Sequence, residues 1–271
     1  MVTTRLLLGC CTVLASLWAT FSNSVAGSLS VLHTFNVTDG QFPQGTLVAA
    51  NGLLYGTTVA GGAFGQGEIF AIDPSNGNLS VIYAFTGGDD GCMPYGGLTI
   101  QNGVLYGTAS FCGLDQPLGY GTVFSFDTSD STFTTVYEFT NSSDGCWPAE
   151  GISVINGLLY GTTGGCPQSS GAGTLFSIDP GTKSLTTLYT FGQAFGEAAY
   201  PNSRLLLLNG KLFGVTVGGG KANRGSLFGY DIQSGTLQTL FSFKRSAGEY
   251  PDGGLVSDGT YLYGGTPIGG R

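Results

Sequence analysis

The strongest constraint on this chain is a phrase that it repeats. NGLLYGTT occupies residues 51–58 and returns unchanged at 156–163, with NGVLYGTA at 102–109, NGKLFGVT at 209–216 and a looser DGTYLYGGT at 258–266. Aligned on the shared aromatic, Tyr55, Tyr106, Tyr160, Phe213 and Tyr263 are spaced by 51, 54, 53 and 50 residues. A period near 50 belongs to propeller arrays, in which each repeat is one small sheet.

Each unit reads in the same order. An aromatic or Met precedes a proline (QFPQGTL, CMPYGGL, CWPAEGI, AYPNSRL, EYPDGGL), and an Asn-Gly or Asp-Gly pair then introduces the LYGT strand as a tight hairpin would. A Gly-rich loop leads to GEIF, GTVF, GTLF or GSLF, and a turn follows the Asp of AIDPSNG, SFDTSDS, SIDPGTK and GYDIQSG. The unit closes on an alternating strand, with Leu79, Val81, Tyr83 and Phe85 on one face, and likewise Leu185, Thr187, Tyr189 and Phe191. No stretch carries the 3.6-residue apolar period of a helix. The expectation is an all-β β-propeller of about five four-stranded blades. In it the LYGT glycine lets neighbouring backbones approach and the tyrosine packs between blades.

The 48 glycines and 10% charged residues would suit a disordered chain, but 41% of residues are hydrophobic, enough to bury a core. Residues 1–26 read as a signal peptide: Arg5 begins it, LLLGCCTVLASLWATF is its apolar run, and Ser24 and Ala26 suit cleavage before Gly27. An uncleaved anchor is the alternative. The protein is expected to be secreted and extracellular, with no membrane insertion after signal removal.

Residues 27–271 form a single propeller domain in this reading, with units at 36–85, 86–139, 140–191, 192–243 and an incomplete 244–271. LSVLHTF (29–35) matches the last strand of a unit, LSVIYAF (79–85), and would act as a clasp that closes the ring. The alternative is that the chain is a piece of a longer array.

Between 27 and 182 there is no Lys or Arg against 12 acidic residues, while 183–271 carries 8 basic and 5 acidic ones. That distribution argues against a nucleic-acid partner, which needs a basic stripe. The pattern P-x-G-G-L … N-G-x-L-Y-G-T-T … G-x-V-F-x-I-D-P … L-x-x-x-Y-x-F resembles the GloVer tandem repeat over essentially the whole of 27–271, with 203–218 the loosest stretch. The resemblance implies a secreted β-propeller and brings no catalytic residues with it.

Beyond the signal there are four cysteines. Cys92 and Cys146 sit two residues before the proline, and Cys112 and Cys166 six after the LYGT tyrosine. Repeats that lack one lack both, holding Gln41 and Gly61, Ala199 and Gly219, or Glu249 and Gly269. Paired presence predicts Cys92–Cys112 and Cys146–Cys166 disulfides, suited to an oxidising compartment. A four-thiolate zinc site would want closer spacing, so no metal and no cofactor is expected.

Chemistry has few handholds. The single histidine, His33, falls in a slot filled by Tyr83, Tyr137, Tyr189 and Phe241 and reads as a packing residue. Asp73, Asp127, Asp179 and Asp231 recur at one position and read as turn formers. Glu150, where other repeats have Gly, and Asp115, in the insertion CGLDQPLGYG, are the carboxylates free for catalysis. For binding, Phe42, Met93, Trp147, Tyr200 and Tyr250 precede the prolines, begin the first strand of each blade, and would ring one mouth of the channel. They would stack on sugars there or else pack between blades. The sequons at Asn36, Asn78 and Asn141 fall in turns and would carry glycans in a glycosylating host.

The leading expectation is a non-catalytic extracellular binding module for a glycan or protein ligand. The alternatives are a carbohydrate-active enzyme using channel carboxylates and a structural surface or matrix protein.

Overall fold

The computed structural model describes residues 29–113, 119–148, 150–166 and 171–270. Asp115 and the signal segment lie outside the described residues. Residues 32–271 cluster as one compact unit.

Four sheets follow one plan. The first is β1 (Val48–Ala50), β2 (Leu53–Thr58), β3 (Glu68–Ile72) and β4 (Leu79–Ala84); the second is β5 (Thr99–Gln101), β6 (Val104–Ala109), β7 (Thr122–Asp127) and β8 (Thr132–Glu138). The third is β9 (Ser153–Ile155), β10 (Leu158–Thr163), β11 (Thr174–Asp179) and β12 (Ser184–Thr190). In the fourth, β13 (Ala198–Pro201) and β14 (Leu206–Leu208) both pair with a long β15 (Lys211–Gly219), followed by β16 (Ser226–Asp231) and β17 (Thr236–Ser242). The fifth has only β18 (Val256–Ser257) and β19 (Leu262–Tyr263). Every strand pair is antiparallel and joins neighbours in sequence within its sheet, apart from β13, which pairs with β15.

Local chemistry accounts for the plan. Asn51-Gly52, Asn102-Gly103, Asn156-Gly157 and Asn209-Gly210 all have positive φ at both positions, as a two-residue type I′ hairpin requires. The four recurrent aspartates close the next hairpin by accepting from the backbone two residues on: Ser75, Ser129, Gly181 and Gln233 donate at 2.8–3.0 Å.

The LYGT glycine has a different role from the one expected. Gly56, Gly107, Gly161 and Gly214 each face a phenylalanine on the adjacent strand of the same sheet: Phe70, Phe124, Phe176 and Phe228. A Cβ would stand 2.4–2.6 Å from that ring, so the glycine is a seat for the phenyl group, not a point of backbone approach. Each of these phenylalanines also sits at a β-bulge against the outer strand. The bulge breaks the expected alternation. Phe70 pairs with Val81 and Ile69 with Tyr83, so Ile82 turns inward and Val81 is exposed.

The core lies between sheets. Ile69, Phe85, Leu98, Leu105 and Phe124 belong to one cluster; Val123, Phe139, Ile152, Leu159 and Phe176, then Leu175, Phe191, Leu205, Leu212 and Phe228, occupy the same positions one and two units later. LYGT tyrosines join these clusters, as expected. Residues 29–35 form no strand, so the ladder expected of a clasp is not seen. The fifth sheet has no third strand among the described residues for it to join. Yet the Phe35 ring lies 5.0 Å from Phe70, repeating Phe85–Phe124, Phe139–Phe176 and Phe191–Phe228 at 5.2–5.3 Å. His33 makes the same edge-on contact with Phe35 that Tyr83 makes with Phe85, and accepts or donates at 3.0 Å with Asp39. It is a packing residue.

Candidate functional site

The five residues before the prolines share one conformation. Phe42, Met93, Trp147, Tyr200 and Tyr250 all have φ between 54° and 58°. A left-handed backbone costs a side-chain-bearing residue about 1–2 kcal/mol, so something must hold it there. The N–H groups of Met93, Trp147, Tyr200 and Tyr250 donate to Gln66, Tyr120, Ala172 and Arg224 of the preceding unit. The Met93 and Trp147 carbonyls accept from Ser110 and Gly164 of their own unit. The proline that follows packs on a glycine of the preceding unit: Pro94 on Gly67, Pro148 on Gly121, Pro201 on Gly173 and Pro251 on Gly225, where a Cβ would meet the ring at 2.6–2.7 Å. The aromatic-proline step is therefore a backbone staple between units. It begins no strand: it precedes the first strand of its unit, and at Tyr200 it lies inside β13.

Once the chain is turned there, the next residue faces inward. Gln44, Tyr95, Asn202 and Asp252 each follow one of these prolines, and all four line a cavity of about 460 Å³ together with Trp147, Glu150, Phe111 and Ser110. Each of the five units contributes to it. Tyr95, Phe111 and Trp147 form a chain of rings, with centroids 6.4 and 5.8 Å apart. Asn202 donates to Asp252 at 2.7 Å. Glu150 stands where three other repeats have glycine and the fourth unit has Ser203; burial first, and the negative charge of Asp252 second, push its carboxyl up to about 7.

Gln44 and Glu150 also line a second cavity, of about 610 Å³, again with residues from every unit. There Arg204 donates to the Thr99 hydroxyl at 2.6 Å, joining the fourth unit to the second. Burial lowers its pKa. Its slot holds Thr46, Gly97, Gly151 and Gly254 elsewhere, so the other units leave room for one long side chain.

Of the five aromatic or Met positions singled out from sequence, Trp147 lines the cavity of about 460 Å³. Phe42 and Tyr200 are exposed, and Tyr250 lies under the Arg224 guanidinium, 5.4 Å from its ring centre. Glu150 lies in the site. Gln44, Tyr95, Asn202 and Asp252 occupy the variable x of P-x-G-G-L, and Arg204 replaces its second glycine; that variation is the one sequence signal for them.

Both disulfides are formed, Cys92–Cys112 and Cys146–Cys166, with Cα atoms 5.3 and 5.4 Å apart. Cys146 directly precedes Trp147, so one staple anchors the segment that carries the indole. Asn36 and Asn78 are exposed; Asn141 is half-buried, with its Oδ1 buried and unpartnered. Among the described residues no cluster of three metal-ligating side chains occurs, and no helix is long and apolar enough to cross a membrane.

Comparison with solved structures places the fold among propellers. The chain is similar to one in a nidogen/laminin complex, with 15% identity, a TM-score of 0.55, and 83% of this chain and 72% of that chain covered. It is also similar to a calcium-binding protein, regucalcin, from Agrobacterium tumefaciens strain C58, with 18% identity, a TM-score of 0.53, and 86% and 69% covered. No curated protein sequence matches the chain. The model of one repeat family matches residues 19–166 and again 113–271. By that match the chain belongs to the Gloeobacter/Verrucomicrobia repeat family.

Proposed function

We propose that the protein is a secreted β-propeller, its five units set in a ring, that binds an extracellular glycan at the mouth cavity without transforming it. One observation carries the reading: a single cavity combines a run of aromatic rings with amide and carboxyl groups from successive units. Sugars present apolar C–H faces that stack on rings and hydroxyls that need planar acceptors and donors. Gln44, Asn202, Asp252 and Glu150 supply those beside Trp147, Phe111 and Tyr95. The apolar clusters repeated between units and the Phe35–Phe70 contact support a ring; the two disulfides support export.

A second reading rests on Glu150. Burial, and after it the charge of Asp252, raise the Glu150 carboxyl to about 7, which suits the general acid of glycoside hydrolysis. Incubating the purified chain with a panel of polysaccharides, and assaying protein retention and new reducing ends together, separates the two. Retention without new ends, lost in Trp147→Ala, is the expected result. New ends that vanish in Glu150→Gln would replace binding by hydrolysis. Neither signal would remove the glycan and favour a protein ligand or a structural role.

A further inference from the structure

Arg204 and Arg224 are the two half-buried arginines of the described residues, and they are matched unequally. Arg224 meets the Glu249 carboxylate at 2.8 Å, whereas among the described residues no carboxylate lies within 4 Å of Arg204. The Arg204 guanidinium finds only uncharged acceptors, the Thr99 hydroxyl at 2.6 Å and the Leu98 carbonyl at 3.5 Å. Most of its N–H groups are left for something else. Burial lowers its pKa, and no neighbouring charge offsets that. A charge held away from water without a counter-ion is destabilising, so a site built this way calls for an anion.

The cavity of about 610 Å³ that Arg204 lines says which anion. Its volume is that of a small-molecule site. Among the described residues Arg204 is the only basic group in the lining, so one negative charge is matched and the second charge of a sulfate or phosphate is not. A carboxylate carries a single charge on two oxygens that fit the guanidinium fork. The walls are aliphatic, with Val154, Ile155, Leu205 and Leu255, and hold no aromatic ring of the kind that lines the adjoining cavity. Glu150 is the other ionisable side chain in the lining. Burial first, and Asp252 second, raise its carboxyl to about 7, so below that pH it does not repel a carboxylate.

We propose that this cavity binds an aliphatic monocarboxylate, its carboxylate paired with the Arg204 guanidinium and its carbon chain laid against Val154, Ile155, Leu205 and Leu255. The site adjoins the aromatic-lined cavity through Gln44 and Glu150 and does not depend on what binds there.

The test titrates the purified full chain with hexanoate, hexanol and glucuronate by calorimetry at about pH 6, where Glu150 keeps its proton. Saturable binding of hexanoate with a raised Tm is expected, and at least about tenfold weaker binding of hexanol and of glucuronate. Arg204→Gln should weaken hexanoate by the same factor. Because Arg204 also ties the fourth unit to the second, a second variant leaves it in place. Gly254 occupies the slot of Arg204 in the fifth unit, and a Cβ on it would meet nothing within 4 Å. Gly254→Leu therefore fills the cavity and should abolish hexanoate binding while circular dichroism stays native. Equal binding of hexanoate and hexanol, no binding of hexanoate, or binding unchanged in a folded Gly254→Leu protein overturns the proposal. Glucuronate bound as tightly as hexanoate overturns it in favour of a sugar acid.

Discussion

In the second unit Cys92 is bonded to Cys112; in the fifth the same two positions hold Glu249 and Gly269. The backbone is joined at this point in both, by a bridge between Cys92 and Phe111 and by one between Glu249 and Ile268. Gln41 and Ala60 make the same bridge in the first unit, and β13 extends it into a strand in the fourth. The backbone join is therefore what the repeat requires, and the side chains there are free to differ. Units two and three add a covalent bond within the unit. The fifth adds an ion pair to its neighbour instead: Arg224 donates to the buried Glu249 carboxylate at 2.8 Å while lying over Tyr250. The same two regions differ in burial, with Leu105 fully buried in one and its counterpart Leu262 partly exposed in the other.

Four measurements test how deep that contrast runs. Truncating a phenylalanine in a full cluster, Phe176→Ala, should cost about 3–5 kcal/mol in chemical denaturation. Phe243→Ala, at a partly exposed ring, should cost less than half as much, and equal losses would mean that the fifth unit is as well packed as the third. Removing a disulfide by Cys146→Ser with Cys166→Ser should cost about 3 kcal/mol, with increased amide exchange confined to the third unit and its neighbours. Arg224→Ala should cost about 2 kcal/mol, less than a fully buried pair because the guanidinium is 42% exposed, and the loss should shrink in high salt.

The smallest effect expected is at Glu150. Its folded pKa is raised, so the native state holds a proton that the unfolded chain releases. Stability from this group therefore falls as pH climbs from the ordinary glutamate range through about 7. Glu150→Gln should add about 1–2 kcal/mol at pH 8 and nothing at pH 4, checked by Tm against pH. A gain at both pH values would show that packing, not charge, sets the cost.

Much of the frame was legible in the sequence, because it is written in residues with narrow conformational roles. Asn-Gly pairs gave the hairpins, recurrent aspartates the turns, and the co-occurring cysteines the two bonds. The aromatic-proline step reads as a ring of stacking surfaces, and the structure adds a backbone, held left-handed by two neighbours, that recurs in every unit. Gln44 and Asp252 sit in a slot that varies and so carries no pattern, although variation on a fixed frame is how an asymmetric pocket is made from equal parts. The bulge at each phenylalanine leaves no trace in an alternating string such as LSVIYAF, since one extra residue preserves the letters and changes only which of them turn inward.

The staple at the aromatic-proline step has one more consequence. Because the join between units is made by main-chain atoms and a proline ring, Gln44, Tyr95, Asn202 and Asp252, which follow those prolines, are presented to the cavity while the join itself does not depend on their side chains. Four such places act as interchangeable characters on a fixed carrier. A related chain can rewrite the lining of this cavity one character at a time, and none of those edits touches the backbone join that displays it.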